Sequence, residues 1–140
     1  MISEEMLINV AKSAMTYAYA PYSHYKVGAA LLCRNGKIYR GCNIENSTYT
    51  PSVCAERTAF FKAISEGDTE FEAIAIVGGP EGSIVGMASP CGVCRQVMME
   101  FCDADFKIIL GKPEGFEVFT LSELLPLGFR LEEARLGETL

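Results

Sequence analysis

Cys54-Ala55-Glu56 and, further along, Pro90-Cys91-Gly92-Val93-Cys94 decide how this chain reads. A C-x-x-C pair alone is a weak signal. A third cysteine two residues ahead of a glutamate makes it a strong one. Three thiolates hold Zn²⁺ tetrahedrally and leave the fourth position open to water. A carboxylate beside that position can move protons. Both cysteine segments fall at predicted helix starts, where Pro90 suits a first turn. Backbone N–H groups and the helix dipole favour negative charge there, which lowers thiol pKa. The pattern predicts a zinc site built from Cys54, Cys91 and Cys94, with Glu56 as the proton carrier.

The rival reading of the cysteines is a structural zinc, which four protein ligands normally close. The single histidine, His24, lies far upstream in a loop, and Cys33, Cys42 and Cys102 lack ligand-like spacing. An open site is therefore favoured. Those three cysteines read as small buried hydrophobes, and His24 as a surface loop residue. Arg57 follows Glu56 and can hydrogen-bond the thiolates, offsetting their charge; by position alone it is equally a solvated helix residue. Glu56 by position alone is an acid favoured by the helix dipole.

Outward from the motif, Ser3-Glu4-Glu5 caps a first helix, whose apolar spacing runs to about Ala20 before Pro21 ends it. Residues 27–34 read as a strand, Asn35-Gly36 as a two-residue hairpin turn, and residues 37–45 as the partner strand. A polar loop leads to Cys54 and a helix that stops at Gly67. Residues 71–77 form an apolar, buried strand. A loop, a helix over 91–101, strands over 106–110 and 116–120, and a short helix over 122–125 follow. A polar tail carries Phe129. A hairpin followed by alternating helices and strands predicts an α/β fold with a mixed sheet.

Composition bounds the function. The chain has 140 residues, reads as one domain over 1–140, and at 49% hydrophobic can build a core. Its net charge is −6, and its 12 Lys and Arg never adjoin one another. Tracking a nucleic-acid backbone needs clustered cations, so an uncharged small substrate fits better. No apolar run approaches the ~18 residues of a membrane span. The start, Met1-Ile2-Ser3-Glu4-Glu5, lacks the basic region of a secretory signal. Spaced cysteines in a chain without such a signal point to metal and a cytoplasmic location rather than to disulfides.

The likeness extends beyond the zinc motif. Ala20-Pro21-Tyr22-Ser23, Val27-Gly28-Ala29-Ala30-Leu31, Gly41-Cys42-Asn43-Ile44-Glu45-Asn46, Cys54-Ala55-Glu56-Arg57, Ser89-Pro90-Cys91-Gly92-Val93-Cys94-Arg95-Gln96 and Glu123-Leu124-Leu125-Pro126 together resemble the small homotetrameric cytidine deaminases. The resemblance covers nearly the whole chain, in the family's order. It implies a three-layer α/β/α sandwich around a mixed five-stranded sheet and one Zn²⁺ per subunit. It implies hydrolysis of cytidine or deoxycytidine to the uracil nucleoside and ammonia, a step of pyrimidine salvage. By matching position, Asn43 and Glu45 would hold ribose hydroxyls, and Tyr25 would pack on the nucleoside where the family commonly has Phe. Backbone groups of Ala55 and Ser89 would bind the base edge. Phe129 would close a neighbouring subunit's site. Ser47 stands where a small apolar residue is usual.

From residue pattern alone, Asn43 and Glu45 share one face of a strand, which equally describes a solvated face. Tyr25 and Phe129 alone would be core or loop aromatics. The rival activities are deamination of a cytosine-like antibiotic such as blasticidin S and editing of nucleic acid. The family of the first differs in its ribose-side region, so the Asn43-Ile44-Glu45-Asn46 stretch favours the nucleoside enzyme, and the second suits neither the acidity nor the length of the chain. A zinc-stabilised interaction module without catalysis is the rival of another class.

Overall fold

The structure, a computed structural model, describes residues 1–131. Its first helix, α1 (Glu4–Met15), starts where Ser3 Oγ accepts the Met6 N–H and acids fill the first turn. The remaining elements are β1 (Tyr25–Cys33), β2 (Ile38–Cys42), α2 (Ala55–Ser65), β3 (Phe71–Pro80), α3 (Gly92–Phe101), β4 (Lys107–Gly111), β5 (Phe116–Thr120) and α4 (Leu121–Leu124). The five strands form one sheet in the order β2-β1-β3-β4-β5. Only β3 and β4 pair in parallel; the other neighbours are antiparallel. The crossover from β3 to β4 carries α3, as parallel pairing requires.

Strand alternation builds two cores, one on each face of the sheet. Ala29, Leu31, Ile74, Ile76, Ile108 and Leu110 point toward α2 and α3, where they meet Ala59, Phe60 and Met98. Ala30, Leu32, Ala73, Ala75, Val77 and Ile109 point the other way, onto Leu7, Ile8, Ala11 and Met15 of α1. The result is the three-layer α/β/α sandwich with a mixed five-stranded sheet. Phe60 anchors the α2 side, with its ring 5.0 Å from that of Phe71 in an edge-to-face contact. Burying such a side chain is worth about 1.5–3 kcal/mol.

Four local expectations need correction. Helix α1 stops at Met15, not near Ala20. Tyr17 and Ala18 donate only to carbonyls three residues back, and Tyr19 then pairs with residues 43–45 through Tyr19 N to Asn43 O at 2.9 Å and Glu45 N to Tyr19 O at 2.8 Å. That long-range pairing outcompetes continued helix. The Asn35-Gly36 turn is not the two-residue type. Gly36 N donates to Cys33 O, and Gly36, not Asn35, takes the left-handed conformation at φ 92°, as in the three-residue hairpin loop. Strand β2 ends at Cys42, because Ile44 leaves it to bridge Tyr19 and Val53. Helix α3 begins at Gly92 with Cys91 as its cap, leaving Pro90 ahead of the cap rather than in the first turn.

Two glycines set how closely the helices lie on the sheet. A Cβ at Gly28 would fall 2.1 Å from Ala11 O, and one at Gly41 would fall 2.3 Å from Ala55 O and 2.7 Å from Ala59 N. Both clashes are with helix backbone, which cannot yield without moving the helix. Gly41 therefore fixes the depth at which the first turn of α2 sits. Gly41→Ala is expected to lower stability by about 1–3 kcal/mol, the usual cost of overpacking, read as a shift of the urea midpoint. An unchanged midpoint would show that α2 can withdraw freely.

Candidate metal centre

Helices α2 and α3 present their N-termini to one point. Cys54 caps α2 and Cys91 caps α3, both in extended conformation, and Cys94 lies one turn into α3. The Cys94 N–H reaches Cys91 Sγ at 3.5 Å. The three sulfurs lie within 4.8 Å of one another, and among the described residues no other His, Cys, Asp or Glu joins that group. Cys54 Sγ and Cys91 Sγ are 3.8 Å apart. Tetrahedral coordination with Zn–S of about 2.3 Å sets sulfurs about 3.8 Å apart, so the donor set fits zinc. Three protein ligands leave a coordination position free, which a closed structural site would not.

The electrostatics point to the same conclusion. The Cys54 thiol is drawn down to about 5 by hydrogen bonding from Cys94 and then from Arg57, against the opposing effect of burial. Cys94 is driven up by the bond it makes to Cys54 and by its burial. One thiolate forms readily; a second must form against the charge of the first. A divalent cation removes that conflict. Arg57 Nη2 donates to Cys54 Sγ at 3.3 Å, and its guanidinium is held more firmly protonated by that bond. Arg57 Nε is buried without a hydrogen-bond partner.

Glu56 is the one charged side chain in the buried interior among the described residues, at 4% exposure. Burial lifts its carboxyl to about 7, and the charge on Cys54 adds to the effect. It borders a cavity of about 500 Å³, a size suited to a small organic ligand. Tyr25, Asn43, Glu45, Ala55, Arg57 and Ser89 line that cavity beside Cys54 and Cys91. Ala55 is the first residue of α2, whose N–H has no partner within the helix. Asn43 Oδ1 accepts from Val27 N at 2.8 Å and its Nδ2 donates to Tyr25 O at 2.8 Å, so β1 holds the amide. Val27, Ser52, Val53, Met87 and Ala88 also line the cavity. None of them stood out in the sequence as a site residue: four are apolar types with no chemical signal, and Ser52 is one serine in a polar loop.

Two residues lie elsewhere. Phe129 is 68% exposed and borders a separate cavity with Met99 and Leu125. His24 is exposed and pairs with Glu81. Of the remaining cysteines, Cys33 and Cys102 are buried, whereas Cys42 is only half-buried.

Residues 1–110 match the model for the cytidine and deoxycytidylate deaminase zinc-binding region. The chain belongs to this family. A cytidine deaminase from Sporosarcina psychrophila is 50% identical over 130 residues, covering 92% of this chain and 93% of that protein. The crystal structure of a cytidine deaminase from Burkholderia pseudomallei superposes with a TM-score of 0.83 at 44% identity, covering 91% of this chain and all of that one. A blasticidin-S deaminase from Bacillus cereus is a more distant relative, 32% identical over 127 residues, covering 88% of this chain and 89% of that protein. As a member of the deaminase family, the chain is a zinc protein. Purified protein should contain one zinc per subunit, and a Cys91→Ser/Cys94→Ser variant should lose it, as read by metal analysis. Zinc retained in that variant would place the ion elsewhere.

Proposed function

We propose that the chain hydrolyses free cytidine and deoxycytidine to uridine and deoxyuridine with release of ammonia. The observation that carries this reading is the single cavity in which an open three-thiol metal site meets the buried carboxyl of Glu56. When bound, zinc lowers the pKa of a water toward about 7 and so supplies the nucleophile. Glu56 would take one proton from that water and deliver it to ring N3 as the hydroxide oxygen bonds to C4; it would then carry the proton of the new C4 hydroxyl to the amine, which leaves as ammonia as the C4–N bond breaks and the C4 carbonyl forms. A carboxyl held near neutrality can both accept and return a proton. The backbone of Ala55 and Ser89 binds the base edge. Asn43 and Glu45 hold the sugar, and Tyr25 packs against the nucleoside. Arg57 offsets thiolate charge that would otherwise blunt the metal.

The family includes enzymes of nucleosides and of nucleotides, and the cavity favours the nucleoside. Among the described residues, Arg57 is the one cationic side chain lining it, and it is engaged by Cys54. None of the described lining residues offers a further cation to a 5′-phosphate, while Glu45 would repel one. The same acidity disfavours a nucleic-acid strand. We place the enzyme in the cytoplasm, in pyrimidine salvage, where reduced thiols remain available to metal.

An ammonia-release assay of cytidine, deoxycytidine, cytosine, deoxycytidylate and blasticidin S, side by side, tests this reading. The two nucleosides should be turned over far faster than the rest. Preferential turnover of blasticidin S or of the nucleotide would overturn the substrate, and absence of ammonia from every compound would favour a non-catalytic zinc module. Glu56→Gln should keep zinc and lose at least the ~10²–10⁴-fold that acid–base catalysis contributes. Near-parental turnover in that variant would remove Glu56 from the mechanism.

We also read the active form as a homotetramer whose sites are completed by neighbours. Phe129, Val93 and Met87 support this as large apolar side chains left exposed in one copy. Phe129→Ala should weaken both assembly, by light scattering, and affinity for cytidine. A fully active parental monomer at assay concentration would sink the shared-site arrangement.

A further inference from the structure

We propose that Ser23 is a positioning residue: its hydroxyl and the N–H groups of the Tyr22–Ser23 turn clamp the Glu45 carboxylate in the orientation that receives a sugar hydroxyl. The inference rests on the reading of Glu45 as a sugar contact and adds how that contact is made.

Glu45 Oε1 accepts from Tyr22 N at 3.0 Å and from Ser23 N at 3.1 Å. Oε2 accepts from Ser23 Oγ. Ser23 Oγ in turn accepts from Tyr25 N at 3.0 Å, so a backbone donor occupies one side of the hydroxyl and its own proton is directed at Glu45. A carboxylate offers about four acceptor sites. Three are filled by one turn, and the site left over is on Oε2. The clamp thus both fixes the carboxylate and limits what it can still bind.

The turn is held in place from several directions. His24 adopts φ 61°, a left-handed conformation that is uncommon for a residue with a side chain. It persists because His24 N donates to Ala20 O at 3.0 Å and His24 O accepts from Glu81 N at 2.6 Å. Strain of this kind collects where surrounding structure over-determines a functional geometry. The Tyr22 ring rests edge-on against Tyr49, centroids 6.4 Å apart. On the opposite side, Glu45 N donates to Tyr19 O, tying the backbone of the carboxylate to the segment that leads into the turn. The bond from Ser23 Oγ, above all, draws the Glu45 carboxyl below the usual carboxylate range, so it remains an acceptor at assay pH. Ser23 contributes the single side-chain donor of the clamp, and it is exposed. Its hydroxyl can be removed without opening a core.

The zinc-loaded protein and its Ser23→Ala, Ser23→Thr and Glu45→Ala variants would be assayed on cytidine and on 2′,3′-dideoxycytidine, which lacks both ring hydroxyls. Ser23→Ala should lower kcat/KM for cytidine by about tenfold or more, the scale of a hydrogen bond to a charged group. The loss should fall mainly on KM. The value for dideoxycytidine and the zinc content should stay unchanged, and Ser23→Thr should restore the cytidine value. Equal losses on the two substrates, or none on cytidine, would overturn the positioning role if Glu45→Ala itself lowers the cytidine value and spares dideoxycytidine. A Glu45→Ala substitution that lowers kcat/KM equally for the two substrates, or for neither, would instead overturn the sugar contact, and the positioning role with it. A measurement independent of turnover uses carboxyl NMR: the titration midpoint of Glu45 should rise in Ser23→Ala. An unmoved midpoint would show that the hydroxyl does not hold the carboxylate.

Discussion

Charge repulsion among three thiols governs the architecture around it. Cys54, Cys91 and Cys94 are packed closely enough that the ionisation of one opposes that of the next. The fold meets this with three kinds of positive charge. Two helix N-termini contribute partial charge, Arg57 contributes a full one, and the coordination geometry selects a dication. Each source constrains structure. The helices must converge, so α2 must lie deep against β2, which Gly41 permits. Glu56, two residues after Cys54 in the first turn of the same helix, is buried beside that cluster.

Burial then gives Glu56 its chemistry. An exposed glutamate would stay ionised near neutrality and return protons poorly. Enclosed at the start of α2, it is raised toward neutrality by the same desolvation that makes the cavity a binding site. Another part of the cavity wall works oppositely. Glu45 lies on the segment that pairs with Tyr19, and the donors of Tyr22 and Ser23 draw its carboxyl down. Two glutamates on one cavity wall are thus set apart by environment, one able to exchange protons and one kept as a fixed acceptor.

What the sequence made legible follows the range of the interactions involved. The cysteine trio was readable because each member sits at a helix start, and helix starts are local. The mixed sheet was readable from the continuous apolar run of residues 71–77 and from the hairpin followed by alternating helices and strands. The early end of α1 was not, because it depends on Tyr19 meeting Asn43 and Glu45 across the fold. The hairpin turn was mistyped because the register of β1 and β2 is set by their pairing rather than by Asn35-Gly36. Ser23 carried no mark of its own beyond a shared motif; its partner is far away in sequence. Val27 and Met87 line the cavity as ordinary apolar residues, and nothing in their type announces it.

The convergence of α2 and α3 has a consequence for how the molecule tolerates change. Cys54 precedes and Cys91 follows β3, the central strand, along the chain, so a metal that joins them staples shut a loop containing α2 and that strand. A cross-link of this sort removes loop-closure entropy from the unfolded chain, and metal that binds only the folded form adds its binding free energy to stability. Damage anywhere in the stapled loop will therefore register as a weakened hold on the ion, even when no ligand has been touched. Conversely, ample metal will mask such damage. The apparent ruggedness of the protein is then partly a property of the medium that supplies the ion.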